Sequence, residues 1–133
     1  MNVSNEASVL LTMAGKDLDL LRYIASSGLI ADEIYGFHAQ QAVEKSLKAW
    51  IIVAGGTIDR IHDLRRLLIA LQDMGIDVAA YRELIPLNSF AVQFRYEAIE
   101  AEDEPLDRAD ILRKVEALYE FVQTLLAKEE SKA

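Results

Sequence analysis

The stretch that decides the fold is Gly36-Phe-His-Ala-Gln-Gln-Ala-Val-Glu-Lys-Ser-Leu-Lys-Ala-Trp50. Its apolar residues recur at helical spacing, because successive residues of an α-helix are rotated by about 100°. One side of the predicted helix carries Ala39, Val43, Leu47, Trp50 and Ala54. The opposite side mixes polar and apolar side chains, namely His38, Gln41, Lys45 and Lys48 with Ile34, Phe37 and Ile52. A solvated face has no need of apolar side chains, so this second side is predicted to be a contact surface.

Composition limits the class of protein before any motif is considered. The length of 133 residues predicts a single domain over residues 1–133, large enough to bury a hydrophobic core. The net charge of −8 argues against passive binding to a nucleic-acid backbone, which needs a positive field. A local basic patch remains compatible with this charge, because many acidic residues fall in one run and one tail: Glu97, Glu100, Glu102, Asp103, Glu104, Glu129 and Glu130.

The chain contains no cysteine, which excludes a disulfide framework and thiolate chemistry. Its N-terminus lacks a basic stretch followed by an apolar one, and no apolar run approaches the length of a membrane span. We therefore expect a cytoplasmic protein.

Helical periodicity predicts two long helices in the first half of the chain. The first is expected from about Ser4, with Ser4 or Asn5 as its cap, to about Ala25. The second is expected over residues 32–54, because Gly55-Gly56 provides a C-terminal stop.

The second half of the chain continues the helical pattern. A third helix is predicted from near His62 to Gly75, capped by Asp59 or a neighbour, and residues 77–84 form either a short helix or an irregular connection. A fourth helix, entered through Pro86, is marked by Leu87, Phe90, Ala91, Phe94 and Ala98. The last helix is expected over residues 107–128 and is marked by Ile111, Val115, Leu118, Val122 and Leu125.

Four long helices with short links predict an all-α fold, an antiparallel up-down four-helix bundle with one additional short helix. Within such a bundle, the second helix could also be packed between neighbours on both sides. Ile34, Phe37 and Ile52 would then be buried without any contact between two chains.

Motifs of known enzyme classes are largely absent from the sequence. Gly55-Gly56 is not followed by the Gly-Lys-Ser/Thr pattern of a phosphate-binding loop. The only histidines are His38 and His62, and neither has a carboxylate three or four residues later on its own helix. We therefore expect no metal site and no cofactor.

The second and third helices match a specific family pattern. The run Phe-His-Ala-Gln-Gln-Ala-Val-Glu-Lys-Ser-Leu-Lys-Ala, a Gly-Gly turn and then Ile61-His62-Asp63-Leu64 resemble the HEPN (higher eukaryotes and prokaryotes nucleotide-binding) domain family. Phe94-Arg95-Tyr96 also fits that family. The resemblance implies an all-α bundle that forms homodimers and is often paired with a minimal nucleotidyltransferase. It further implies, for many members, RNA cleavage by an arginine that is followed after four to six residues by a histidine.

That arginine–histidine pair is missing from this chain. The positions at which the histidine would follow Arg95 hold Glu100, Ala101 and Glu102. No arginine precedes His38 or His62 at the required spacing. Carboxylates in place of an imidazole would repel a phosphodiester, so the usual family mechanism is disfavoured.

The resemblance and the residues together nominate a candidate site and its alternatives. Nucleotide or partner binding is assigned to His38, Gln41, Lys45, Lys48, His62, Arg95 and Tyr96, and the dimer contact to Ile34, Phe37 and Ile52. Structural roles compete with this assignment: His62 could serve only the start of a helix, Arg95 could pair with a neighbouring acid, and the lysines could simply solvate their helix.

Two functions follow from this assignment. The first is a homodimeric nucleotide- or partner-binding module, paired with a minimal nucleotidyltransferase in a toxin–antitoxin type of system. The alternative is a toxin-type RNA endonuclease with a non-standard active site.

Overall fold

The computed structural model of the chain describes residues 3–91 and 105–132. The long α-helices in these ranges are α1 (Val3–Ile24), α2 (Asp32–Val53), α3 (Leu64–Asp73) and α4 (Arg108–Ser131). A 3-10 helix, Ala79–Leu87, follows α3, and residues 88–91 are helical again. The described residues contain no strand. The predicted all-α fold is therefore confirmed.

The helix α2 is the centre of the fold, because 14 of its 22 residues are buried. It packs against α1, α3, α4 and the 3-10 helix. A helix surrounded in this way needs apolar side chains in several directions, not on one stripe. This arrangement explains why the sequence of α2 is apolar on both of its sides.

Contacts along the helices give their relative directions. At one end of the bundle Arg108, the first residue of α4, bonds to Ile24 at the end of α1 and to Asp32 at the start of α2. Further along α4, the ring of Phe121 lies 5.1 Å from that of Trp50 near the end of α2. Thus α2 and α4 run parallel to each other, and α1 runs antiparallel to both.

Glycines end α2 as predicted. Gly55 has a φ of +95°, and the N–H groups of Gly55 and Gly56 donate to the carbonyls of Ile52 and Ile51. A left-handed residue at this position is accessible to glycine at little cost, and the paired bonds satisfy carbonyls that the helix would otherwise leave free.

Two predicted helix starts need correction. The helix α1 begins at Val3, so Ser4 and Asn5 lie inside it and do not cap it. The helix α3 begins at Leu64 and is capped by Asp63, not Asp59, because the Asp63 side chain accepts a hydrogen bond from the Arg65 N–H.

The segment predicted as either a short helix or a connection is the 3-10 helix, which extends through Pro86 to Leu87. Of the predicted fourth helix, residues 88–91 are helical, and Phe94 and Ala98 lie outside the described residues.

Close packing fixes the position of the chain after the 3-10 helix. A Cβ atom built on Gly36 would lie 2.4 Å from the ring of Phe90, which is itself only 8% exposed. The aromatic ring therefore occupies the space that any other residue at position 36 would need. This contact sets residues 88–91 against the N-terminal half of α2.

Candidate functional site

The polar residues predicted on α2 do not form one exposed stripe in the structure. They belong to two clusters, each built around a carboxylate that the sequence analysis left unassigned. We name them the Asp17 cluster and the Glu44 cluster. Each contains one carboxylate, one lysine and one histidine.

The Asp17 cluster joins α1 to α2. Asp17 Oδ1 lies 3.0 Å from His38 Nδ1, and Asp17 Oδ2 accepts a hydrogen bond of 2.8 Å from Lys45 Nζ. The Asp17 side chain is only 12% exposed. Such a carboxylate needs partners for both oxygens, and His38 and Lys45 supply them.

The Glu44 cluster joins α2 to the loop before α3. Glu44 Oε2 accepts a hydrogen bond from Lys48 Nζ and lies 3.0 Å from His62 Nδ1, while Glu44 Oε1 accepts from Gln40 Nε2. Gln40 Nε2 also contacts the carbonyl oxygen of His62 at 3.3 Å, and Gln41 donates to Gln40 Oε1 at 2.7 Å. His62 is thus held at both its ring and its backbone.

These contacts change what the two predicted lysines can do. Lys45 is paired with Asp17, and Lys48, whose side chain is 11% exposed, is paired with Glu44. Within each pair the charges cancel at short range. Neither lysine is therefore a free cation for a phosphate group.

His62 is the member of the clusters that is most open to solvent. Its side chain is 68% exposed, whereas that of His38 is 28% exposed. Because Nδ1 of His62 is held by Glu44, Nε2 is the ring nitrogen available to a ligand. A carboxylate that fixes one imidazole nitrogen also orients the other, as in many sites that bind anions or transfer protons.

Three arginines that are not among the predicted site residues lie close to His62 in the sequence. Arg60, Arg65 and Arg66 are exposed, and none of them makes an ion pair with a residue of the described ranges 3–91 and 105–132. Arg65 and Arg66 lie in the first turn of α3. The sequence signal that could have identified this basic patch is three arginines within seven residues, in a chain whose net charge is −8.

The segment that carries His62 is anchored from the other side by Asn88. Asn88 Oδ1 accepts a hydrogen bond of 2.8 Å from the Leu64 N–H, and Asn88 Nδ2 donates to Asp63 Oδ1 at 2.7 Å. The start of α3 is therefore already capped by a carboxylate and an amide. A bound anion would be held by side chains here, not by free N–H groups of the helix.

A second anchor missed by the sequence analysis is Arg108. Its guanidinium donates to Asp32 and to the carbonyl oxygens of Ile24, Ser27 and Ile30. It also lies 5.0 Å from the ring centre of Tyr35. Burial raises the pKa of the Tyr35 hydroxyl, and the positive charge of Arg108 opposes that rise. This arginine ties the start of α4 to the α1–α2 connection.

The predicted dimer contact is only partly exposed. Ile34 and Phe37 are half-buried, but Ile52 is 4% exposed and belongs to the hydrophobic core. Ile52 therefore cannot lie on a surface offered to another chain, a correction that follows from the central position of α2. Apolar side chains that are more exposed than Ile34 and Phe37 occur on α1, at Val9, Met13 and Tyr23.

Two predicted site residues, Arg95 and Tyr96, lie outside the described residues, as does the whole acidic run from Glu97 to Glu104. Within the part of the chain that the structure describes, no group of three histidine or acidic side chains could hold a metal ion. None of the described helices is both long enough and apolar enough to cross a membrane.

Comparison with known proteins agrees with the geometry. The described residues form an all-helical bundle, and the HEPN domain family model matches residues 7–126. The chain therefore belongs to the HEPN domain family. No curated protein matches the chain. No solved structure matches it either.

Proposed function

We propose that this chain is a homodimeric module that binds a nucleotide through the surface around His62, and that it acts with a minimal nucleotidyltransferase in a toxin–antitoxin type of system. The observation that carries the proposal is the Glu44 cluster, which holds His62 by its Nδ1 and its carbonyl oxygen and leaves Nε2 open. Membership of the HEPN domain family supports the same class of ligand.

The chemistry of the surface suits a phosphate group. A protonated imidazole and the guanidinium groups of Arg65 and Arg66 would donate hydrogen bonds to phosphate oxygens, and planar guanidinium groups bind them in pairs of bonds. The lysines of the two clusters have a different part in this proposal, because they neutralise the carboxylates that orient the histidines.

Calorimetric titration of the purified protein with ATP and AMP tests nucleotide binding. We expect His62→Ala to weaken binding roughly tenfold, the effect of losing one hydrogen bond to a charged group. The matched control is His38→Ala, which removes a mostly buried histidine of the Asp17 cluster. Equal affinities of wild type and His62→Ala, or no heat with either nucleotide, would show that the proposed site is wrong.

The partner is tested separately. The reading frame beside this gene should encode a small nucleotidyltransferase, and the two proteins should copurify when they are produced together. A neighbouring gene of another class, or two proteins that separate on a sizing column, would remove this part of the proposal.

The alternative function is RNA cleavage without the family's arginine–histidine pair. The pair Glu44–His62 favours it, because an oriented imidazole can take the proton of a ribose 2′-hydroxyl while the 2′-oxygen attacks the phosphorus and the 5′-oxygen leaves with a proton from solvent. Degradation of RNA by wild type that Arg95→Ala or His62→Ala abolishes would establish this function over nucleotide binding alone. Unchanged RNA after incubation with wild type would exclude it.

A further inference from the structure

A cavity of about 390 Å³ opens between the C-terminal halves of α2 and α4. Its walls include Trp50, Ile76, Phe121 and Leu125. Cavities of this size are typical of small-molecule sites, which are mostly apolar with a few polar groups at the edge. No residue of the Asp17 or Glu44 cluster lines it, so it is separate from the surface around His62.

Aromatic rings form the most distinctive part of the wall. Trp50 is 3% exposed and meets the rings of Phe121 and Tyr81 edge to face, at centroid distances of 5.1 and 5.5 Å. Phe121 itself is 41% exposed. A bound aromatic ring would cover that exposed surface and could pack against these rings in the geometry that aromatic pairs prefer.

The rim of the cavity is positive. Lys128 and Lys132 stand there with a single acid, Glu129. The Lys132–Glu129 pair is long, at 3.7 Å, and exposed at both side chains, whereas Lys128 makes no ion pair with any described residue. This excess of positive charge is local, since the whole chain carries −8.

The end of α2 does not cancel this positive charge. The negative partial charge of a helix C-terminus resides on carbonyl groups that have no hydrogen-bond partner. At α2 the carbonyl oxygens of Trp50, Ile51 and Ile52 accept from the N–H groups that follow the helix. At the mouth of the cavity the two lysines, in the last turn and at the C-cap of α4, outnumber the one acid that lines it.

We propose that this cavity, the Trp50 pocket, binds an aromatic monocarboxylate, with the ring against Trp50 and Phe121 and the carboxylate at Lys128 and Lys132. The proposal is independent of the function assigned to the surface around His62. It rests on cavity size, aromatic walls and a positive rim, all within the described part of the chain.

Trp50 is the only tryptophan in the chain and lines the pocket, so its fluorescence reports binding directly. The probe is 4-phenylbutyrate, and the control ligands of the same shape are 4-phenylbutylamine and 4-phenylbutanol. We expect a saturable change in Trp50 emission with the carboxylate, and weaker binding of the amine and the alcohol. Lys128→Gln should weaken binding of the carboxylate by about fivefold, as for the loss of one partly exposed charge contact.

Phe121→Ala tests the aromatic wall. The matched control for the loss of charge is Lys16→Gln, because Lys16 lies on α1 and does not line the pocket. Loss of binding in Phe121→Ala with an unchanged affinity in Lys16→Gln supports the proposal. Equal binding of the amine and the carboxylate, or an unchanged affinity in Lys128→Gln, would overturn it. Conversion of a dimer to a monomer by Phe121→Glu would also overturn it, because a second copy of the chain would then occupy the pocket.

Discussion

Replacement of Glu44 by glutamine tests whether the Glu44 cluster is a structural necessity. In the wild type the carboxylate faces three donors, from Gln40, Lys48 and His62, and its side chain is 7% exposed. Glutamine keeps the shape but has one acceptor oxygen and no charge. Lys48, with a side chain 11% exposed, would then be a buried cation without its carboxylate.

The expected cost of Glu44→Gln is about 3 kcal/mol in the free energy of unfolding. Removing one partner of a buried ion pair costs about 3–5 kcal/mol, because an uncompensated charge remains. The lower end of this range applies to Glu44→Gln, because the His62 side chain is 68% exposed and can form its hydrogen bond with water instead. Against a total of about 5–15 kcal/mol for a domain, this loss is large.

Urea unfolding followed by Trp50 fluorescence measures this cost, with an unchanged slope expected in the linear extrapolation. In Glu44→Gln/Lys48→Met the unpaired cation is absent, so at least half of the lost stability should return. The matched control is Glu83→Gln, where the side chain is 70% exposed and the change should stay within about 0.5 kcal/mol. A cost of less than about 1 kcal/mol for Glu44→Gln, or a further loss of stability when Lys48→Met is added, would contradict an uncompensated buried charge at Lys48.

Three further predictions concern packing, assembly and pH. In an ordinary helix, replacing glycine with alanine raises stability. At position 36 the new Cβ would meet the ring of Phe90, so Gly36→Ala should lower the free energy of unfolding, measured in urea, by about 1–3 kcal/mol. A gain in stability would contradict this contact. If the chain dimerises through the surface at Phe37, light scattering should find monomers of Phe37→Glu and dimers of Met13→Glu, and the opposite pair of results would place the contact on α1. Burial raises the pKa of Tyr35 above its usual 10.0, so the unfolded chain loses this proton first as pH rises above 10. The stability advantage of wild type over Tyr35→Phe should therefore shrink above that pH, and a constant difference in urea unfolding from pH 7 to 11 would contradict it.

Periodicity was enough to predict the long helices, because the spacing of apolar residues along a helix is a local property of the sequence. The end of a helix can be predicted where it also depends on a local signal. Gly55 and Gly56 end α2 where the sequence predicted, since a positive φ is a local requirement. Helix starts that lack such a signal differ from the prediction by a few residues. Asp63 caps α3 in place of Asp59 because Asn88, distant in sequence, fixes the Asp63 carboxylate at that position.

The candidate site could be predicted only in part. His38, Lys45 and Lys48 lie on α2 as predicted, but Asp17, the partner of His38 and Lys45, lies on α1. His62, which pairs with Glu44, lies just before α3. Spacing within α2 could show the Glu44–Lys48 pair, whose members are four residues apart, but not the pairing of Lys45 with Asp17 on α1. Nor could it show that Ile52 is buried, because that depends on which helices surround α2.

The sequence by itself determined the class of protein: helical periodicity and the Gly36–Trp50 and Ile61–Leu64 patterns define a bundle of the HEPN domain family. Tertiary structure alone decided what the polar residues of α2 do. Packing on several sides removes them from water, and a buried charge is stable only with a partner at hydrogen-bond distance. Asp17 and Glu44 take up that role, and His62 is the histidine whose ring remains mostly open to solvent.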